Sequence, residues 1–153
     1  MDGVYVLLIW LKEKRRIRIG KLGPLEFARG LYFYVGRALN GLEARIERHL
    51  RKGKRHFWHI DYLLEYSEIL GIIYVWTSHG KSECKIASNL GKRFELIENF
   101  GSSDCRCRSH LFFKPMQIKK PLWKGATPER SEGKARARVG ERPELRLPLL
   151  STG

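Results

Sequence analysis

Three side chains in one short stretch carry groups that can act on a phosphate ester: the Tyr34 hydroxyl, the Arg45 guanidinium and the His49 imidazole. A guanidinium matches the charge and the planar geometry of a phosphate group. A phenol and an imidazole can hold or pass on the proton of an attacking water. These residue types therefore indicate phosphoryl chemistry, provided that the fold brings them to one place.

A strand and a helix are predicted to position these side chains. Residues 31–35 are all of types that favour a pleated sheet, which predicts a strand that carries Tyr34. Asn40 is a favourable N-cap and predicts the start of a helix just after it. On this helix Arg45 and His49 lie one turn apart, beside an apolar stripe. The stripe consists of Leu42, Ile46 and Leu50.

Two tripeptides and three later polar residues follow one another in a fixed order. In chain order they are Gly3-Val4-Tyr5, Tyr34-Val35-Gly36, Arg45, His49 and Glu83. This ordered set resembles the GIY-YIG nuclease superfamily, over about residues 3–114. The run Phe-Gly-Ser-Ser-Asp-Cys-Arg-Cys-Arg-Ser-His-Leu at residues 100–111 is similar to a small, mostly archaeal, uncharacterised branch of that superfamily. The resemblance implies a divalent-metal-dependent DNA endonuclease that hydrolyses phosphodiester bonds in DNA repair or recombination.

The resemblance implies that Tyr5 removes a proton from the attacking water, with Tyr34 as its partner. His49 would orient the substrate or share the proton transfer. A phenol with a pKa near 10 needs a nearby cation to act as a base at neutral pH. From the residue types alone, two strand tyrosines in a hydrophobic layer and a partly buried helix histidine remain open alternatives.

The same resemblance implies roles for the charged residues of the set. Arg45 would stabilise the pentacoordinate phosphate, Arg37 would contact a phosphate, and Glu83 would bind Mg²⁺ or Mn²⁺. The alternative for Arg45 is a weak surface ion pair. The alternative for Glu83 is that the helix dipole alone favours a glutamate in the first turn of a helix. Some relatives carry a further downstream asparagine, which has no assigned position in this chain.

The net charge of +14 and the pI near 10.1 predict a polyanionic partner. By the resemblance that partner is DNA, including branched or damaged DNA. Lys52, Lys54 and Arg55 form a basic cluster that is predicted either to bind nucleic acid or to be a solvated turn. A non-catalytic nucleic-acid-binding module that keeps the GIY-YIG fold is the alternative to an enzyme.

Three cysteines and a histidine have the side chains of a Cys₃His zinc site: Cys84, Cys105, Cys107 and His110. The Cys-x-Cys spacing is less typical of zinc than Cys-x₂₋₄-Cys, and Cys84 would have to come from a helix. The sequence therefore favours reduced packing thiols over structural zinc. An odd number of cysteines also fits poorly with a closed set of disulfides.

The overall pattern predicts an α+β fold with a small, mainly antiparallel central sheet flanked by helices, as in GIY-YIG domains. Residues 1–114 form the predicted nuclease domain and carry +9 of the net charge, whereas residues 115–153 are predicted to form a basic, disordered tail. The chain lacks an apolar run of membrane-spanning length and a signal-peptide pattern, so a cytoplasmic protein that does not associate with membranes is expected.

Four further expectations concern individual elements. Residues 1–36 are expected to form three antiparallel strands, with an extra hairpin between the two tripeptides. A helix over residues 56–68 is expected to bury Phe57, Ile60 and Leu64. The continuous β-type run at residues 70–77 predicts a central, buried strand. Residues 111–113 are expected to form a closing edge strand.

Overall fold

The computed structural model of the protein describes residues 2–77 and 81–116. Within those ranges the chain forms seven strands, three α-helices and one short 3-10 turn. The elements are β1 (Gly3–Leu11), β2 (Arg15–Arg18), the 3-10 turn (Gly20–Leu22), β3 (Pro24–Phe27), β4 (Gly30–Ala38), α1 (Leu42–Leu50), α2 (His59–Leu64), β5 (Glu68–Trp76), α3 (Ser82–Gly91), β6 (Glu95–Leu96) and β7 (Leu111–Pro115).

The main sheet has five strands in the order β5-β1-β4-β7-β6, and every neighbouring pair is antiparallel. The long pair of β1 and β4 runs from Gly3 opposite Ala38 to Leu11 opposite Gly30. The predicted α+β class, with an antiparallel central sheet and flanking helices, is confirmed.

The predicted extra hairpin is present, but four strands begin within residues 1–36 and not the expected three, because Pro24–Phe27 also forms a strand. The hairpin is formed by β2 and β3, which make a separate two-stranded sheet between β1 and β4 in the chain. Ile17 and Phe27 of this hairpin are buried in the main hydrophobic core. The insertion therefore packs against the domain and leaves the pairing of β1 with β4 intact.

The core lies on both faces of the main sheet, because successive side chains of a strand point to opposite sides. On one face, Tyr5 and Leu7 of β1 are buried with apolar residues of α1 and α2. On the other face, Val4 and Val35 pack with Ala87 of α3. Burying each large aliphatic side chain contributes roughly 1.5–3 kcal/mol. The helices α1 and α3 are thereby anchored to the central strands.

The buried stripe of α1 differs from the prediction at its last position. Leu42 and Ile46 are buried, but Leu50 is 48% exposed and His49 is buried instead. At about 100° per residue, position i+7 returns closer to the direction of Leu42 than position i+8 does. The predicted N-cap was also wrong: Gly41 precedes the helix, and the structure gives it no side-chain cap.

The strand predicted at residues 70–77 is present, but the prediction that it is central and buried was wrong. It is β5, which lies at one edge and pairs with β1. Its residues Ile73 and Val75 are 66% and 57% exposed. A continuous apolar run does not specify how many neighbours a strand has, because pairing depends on distant segments. The predicted closing strand is β7, which lies between β4 and β6 and is therefore internal.

The second helix is shorter than predicted at both ends, since it runs over His59–Leu64 instead of residues 56–68. The Asp61 carboxylate accepts the backbone N–H groups of Phe57 and Trp58, at 2.8 Å and 3.0 Å. The helix begins after them, at His59, and buries Ile60. Phe57, which was expected in the core, is 70% exposed.

None of the helices in the described ranges is long and apolar enough to span a membrane. The predicted tail falls almost entirely on residues 117–153, which lie outside the described part of the chain.

Candidate active site

Tyr5 occupies the centre of the site because a glycine lies directly opposite it. In the antiparallel pairing of β1 with β4, Tyr5 is opposite Gly36. A Cβ atom on residue 36 would lie only 2.2 Å from Cζ of Tyr5. The Tyr5 ring therefore lies across Gly36, and it can do so only where β4 carries no side chain. This contact gives a physical reason for the glycine of the second tripeptide.

The Tyr5 hydroxyl is hydrogen-bonded to Nε2 of His49, at 2.7 Å. The imidazole is buried, and burial lowers the pKa of His49 to about 4. Nδ1 of His49 is also buried, and it has no hydrogen-bond partner among the described residues. The ring is therefore neutral at physiological pH, and its Nε2 can accept a hydrogen bond from the phenol.

The second tyrosine lies beside this pair. Tyr34 is buried, and its ring meets the His49 ring edge-on at a centroid distance of 6.3 Å. Burial raises the pKa of both Tyr5 and Tyr34 above the ordinary value, and the positive charge of Arg45 opposes that shift in both. The two hydroxyl groups are consequently protonated in the free protein.

Arg45 is held at the same site by an aromatic ring. Its guanidinium carbon lies 4.2 Å from the ring centroid of Trp58, a distance at which cation–π attraction is significant. Arg48 lies at the same distance from Trp58 and donates two hydrogen bonds to Asp61, at 2.9 Å and 2.8 Å. Burial alone would raise the pKa of Asp61, but hydrogen bonds from Arg48 and from the backbone outweigh it and lower the pKa.

Arg48, Trp58 and Asp61, which support Arg45, were not predicted as site residues. The spacing of Arg45 and Arg48, three residues apart on one helix, is a signal that they share a face. The partner of Arg48 comes from another helix, so no local pattern could have identified it.

Glu83 lies in the first turn of α3, as predicted, with its side chain 14% exposed. Its Oε2 atom is 3.8 Å from Nε of Arg37 and has no hydrogen-bond partner within the described residues. Burial raises the pKa of Glu83, and the charge of Arg37 opposes this. A buried carboxylate oxygen without a hydrogen bond can accept a hard cation such as Mg²⁺.

These side chains surround one cavity of about 270 Å³. Six of the predicted site residues line it: Tyr5, Tyr34, Arg37, Arg45, Glu83 and, from the predicted metal site, His110. His49 lies beneath, in contact with Tyr5. The structure therefore brings together residues from β1, β4, α1 and α3.

The loop of residues 101–110 forms the remaining wall of this cavity, through Ser103 and Asp104. The loop is attached to α2 because the backbone N–H of Gly101 donates to Nδ1 of His59, at 2.9 Å. His59 also lines the cavity and was not predicted as a site residue.

The predicted nucleic-acid-binding cluster does not line this cavity. Lys52 donates to the carbonyls of Leu64 and Ser67, and Lys54 donates to two carbonyls at the end of α1. Arg55 is exposed, and its guanidinium lies 5.6 Å from the ring centroid of Phe57. The hydrogen bonds of Lys52 and Lys54 connect α1 to the segment that follows it.

The four predicted metal-site residues come together. The side-chain ligand atoms of Cys84, Cys105, Cys107 and His110 all lie within 4.8 Å of one another. Nε2 of His110 is 3.4 Å from Sγ of Cys105. Burial raises the pKa of the Cys107 thiol to about 12 when no cation is present. This cluster can hold a metal ion, between α3 and the loop of residues 101–110.

A second cavity, of about 1020 Å³, adjoins the first and shares Arg37, Glu83 and Asp104 with it. Its wall includes Cys84, Cys105 and Cys107 of the candidate metal site and further basic side chains. Those basic residues are Lys81, Lys92, Arg106 and Arg108.

The fold and the site define an α+β domain with a cavity that combines tyrosine, histidine, arginine and glutamate side chains. Residues 4–126 match the model of a family described as a domain of unknown function, DUF123, and the chain belongs to that family. No curated protein and no solved structure gives a significant match to the chain.

Proposed function

We propose that this protein is an endonuclease of the GIY-YIG type, which hydrolyses DNA phosphodiester bonds with the help of Mg²⁺ or Mn²⁺. The observation that carries the proposal is the convergence on one cavity of the Tyr5–His49 pair, Arg45 and Glu83. A proton acceptor, a cation and a carboxylate for metal are the groups that such a hydrolysis requires.

The positions of the motifs also support the proposal. Both tripeptides lie on paired antiparallel strands, Arg45 and His49 follow on one helix, and Glu83 begins another. The resemblance requires this strand, strand, helix, helix order. Glu83 fits a divalent cation because Oε2 is buried without a hydrogen bond within the described residues. Glu83 would hold Mg²⁺ or Mn²⁺, which would supply positive charge to neutralise and orient the phosphate.

The proposed reaction is direct attack by water on the scissile phosphorus. The water oxygen forms a bond to phosphorus as the bond to the 3′ oxygen breaks, and the 3′ oxygen takes a proton from solvent. Tyr5 accepts the proton of the attacking water while it passes its own hydroxyl proton to Nε2 of His49. The products carry 5′-phosphate and 3′-hydroxyl ends.

Two features of the site suit this proton transfer. The substrate phosphate brings negative charge close to His49 and raises its pKa, so the imidazole becomes a better acceptor when DNA is bound. Arg45 stabilises the additional negative charge of the pentacoordinate phosphate. Tyr34 packs against His49 and helps to hold the water.

DNA is the proposed substrate because the charge of the chain is strongly positive. Residues 1–114 alone carry +9, and basic side chains line the cavity of about 1020 Å³ beside the site. A role in the repair or recombination of branched or damaged DNA is the function we infer from the resemblance. Arg37 is the proposed phosphate contact at the junction of the two cavities, and Arg55 is a proposed further contact.

We infer that the metal held by the cysteine cluster is Zn²⁺. Three thiolates and one imidazole are a typical ligand set for structural zinc. The arrangement favours zinc over the packing thiols expected from spacing, because four ligand atoms meet although Cys84 comes from a helix. Bound zinc would join α3, which carries Glu83, to the loop that carries Asp104.

A cleavage assay tests the endonuclease. Branched, nicked and single-stranded DNA are incubated with the protein in Mg²⁺, in Mn²⁺ or in EDTA. Cutting that requires metal and that Glu83→Gln abolishes is expected. Glu47→Gln, a change at an exposed glutamate of α1, is the matched control and should cut normally. Tight binding of DNA without cutting under any of these conditions would instead favour the non-catalytic binding module.

A further inference from the structure

Phe57 is the most exposed large hydrophobic side chain in the described ranges, at 70%. It lies next to the candidate active site, because it lines the same cavity as Tyr5 and Tyr34. Burying a phenylalanine ring stabilises a fold, and this residue forgoes most of that stabilisation. An aromatic ring kept exposed at the edge of a polar cavity is positioned to contact a ligand.

The backbone beneath this ring is rigidly held. The N–H groups of Phe57 and Trp58 both donate to Oδ2 of Asp61. Asp61 is in turn fixed by two hydrogen bonds from Arg48. A platform that is ordered before its ligand arrives loses little conformational entropy on binding.

Guanidinium groups surround the same ring. Arg48 and Arg55 lie 5.8 Å and 5.6 Å from the ring centroid of Phe57. The neighbouring Trp58 is 36% exposed and lies under Arg45 and Arg48. An exposed aromatic ring among cations is the arrangement by which proteins hold single-stranded nucleic acid, with the base on the ring and the phosphates near the cations.

From this geometry we propose that Phe57 is a stacking platform for one unpaired nucleobase beside the scissile phosphate. The proposal rests on the proposed endonuclease function for the position of that phosphate. Bases inside a duplex are stacked on both faces, so only an unpaired or displaced base can present a free face to Phe57. The preferred substrate is therefore DNA with an unpaired nucleotide next to the cut, such as a single strand, a bubble or a frayed branch point.

The test measures stacking without cutting. An oligonucleotide with a single 2-aminopurine is titrated with the protein in EDTA, and fluorescence and affinity are recorded. The parent protein should quench the fluorescence of an unpaired 2-aminopurine. Phe57→Ala and Phe57→Leu should abolish this quenching and weaken binding about 5- to 100-fold. The leucine variant keeps apolar bulk and lacks the ring, so it separates stacking from general hydrophobic contact.

Tyr66→Ala is the matched control. Tyr66 is also exposed, at 42%, and lies under the guanidinium of Arg15 at 4.7 Å, but it does not line the candidate active site. This variant should bind and quench like the parent. Fully paired DNA should show equal affinity for the Phe57 variants and the parent. Thermal unfolding of each variant verifies that the fold is kept, as expected for a change at an exposed ring.

The outcomes separate this proposal from the endonuclease. Quenching that depends on Phe57, in a protein that never cuts DNA with Mg²⁺ or Mn²⁺, would support the platform and overturn the nuclease. Metal-dependent cutting of unpaired substrates at parental rate and affinity by Phe57→Ala would support the nuclease and overturn the platform. If Phe57→Ala weakens the binding of paired and unpaired DNA equally, the stacking platform would also be overturned.

Discussion

Replacing Gly36 by alanine is expected to displace Tyr5 and destabilise the fold. The added Cβ would lie 2.2 Å from Cζ and 2.4 Å from the hydroxyl oxygen of Tyr5. Heavy atoms in contact are ordinarily about 3.5–4 Å apart. Either the ring or strand β4 must therefore shift by more than about 1 Å.

Two costs determine the size of this effect. Forcing extra volume into a packed core typically costs about 1–3 kcal/mol. A displaced Tyr5 also loses its 2.7 Å hydrogen bond to His49, and leaving buried polar groups unsatisfied costs about 1–3 kcal/mol. We expect Gly36→Ala to lower the free energy of unfolding by roughly 2–6 kcal/mol, a large share of the stability of a domain of this size.

Urea denaturation followed by circular dichroism measures this change. Gly91→Ala is the control, because a Cβ there would meet only Cε1 of Phe112, at 3.4 Å, at the end of α3. That variant should retain its stability or gain up to about 1 kcal/mol from improved helix propensity.

A double-mutant cycle identifies the cause. In a Tyr5→Leu background the ring that collides with the new Cβ is absent. Gly36→Ala should then cost less than about 1 kcal/mol, so that the two changes are strongly coupled. An equal cost in both backgrounds would refute the inference that Gly36 is needed to accommodate the Tyr5 ring.

Three further predictions concern the site. Arg45→Ala should lower the single-turnover cleavage rate about 10²–10³-fold with only modest loss of binding, while Arg93→Ala, which lines neither cavity, cuts normally. Arg45→Lys should not rescue cleavage, and a folded Arg45→Ala that cuts at the parental rate would contradict the assignment. His49 should titrate near pH 4 in NMR spectra, and a midpoint at pH 6.5 would show that it is solvated. Because folding lowers this pKa, neutral His49 stabilises the protein fully above pH 6.5, and about 3 kcal/mol is lost as pH falls through 4. Cys107→Ser should lose bound zinc in metal analysis and lower the melting temperature, whereas unchanged zinc content would place the metal elsewhere.

Much of the site could be predicted from the sequence because its signals are local. The strand with Tyr34 and the helix with Arg45 and His49 follow from residue type and short-range periodicity. Glu83 in the first turn of α3 was predicted in the same way. The antiparallel α+β class follows from the order of such elements.

The tertiary structure decided which faces and partners these elements have. Phe57 belongs to an apolar pattern, but the Asp61 carboxylate starts the helix after it and leaves the ring exposed. The strand β5 is rich in apolar residues, yet it lies at the edge of the sheet because only β1 pairs with it among the described strands.

The same distinction applies to the polar groups. The sequence by itself supplied the tyrosines, the arginines, the cysteines and an excess of positive charge. Only the folded chain places the Tyr5 ring over Gly36 to reach His49, pairs Arg48 with Asp61 and gathers three cysteines with His110. Each of these contacts joins residues on different elements. Their geometry depends on sheet register and helix packing, which short-range sequence patterns do not encode.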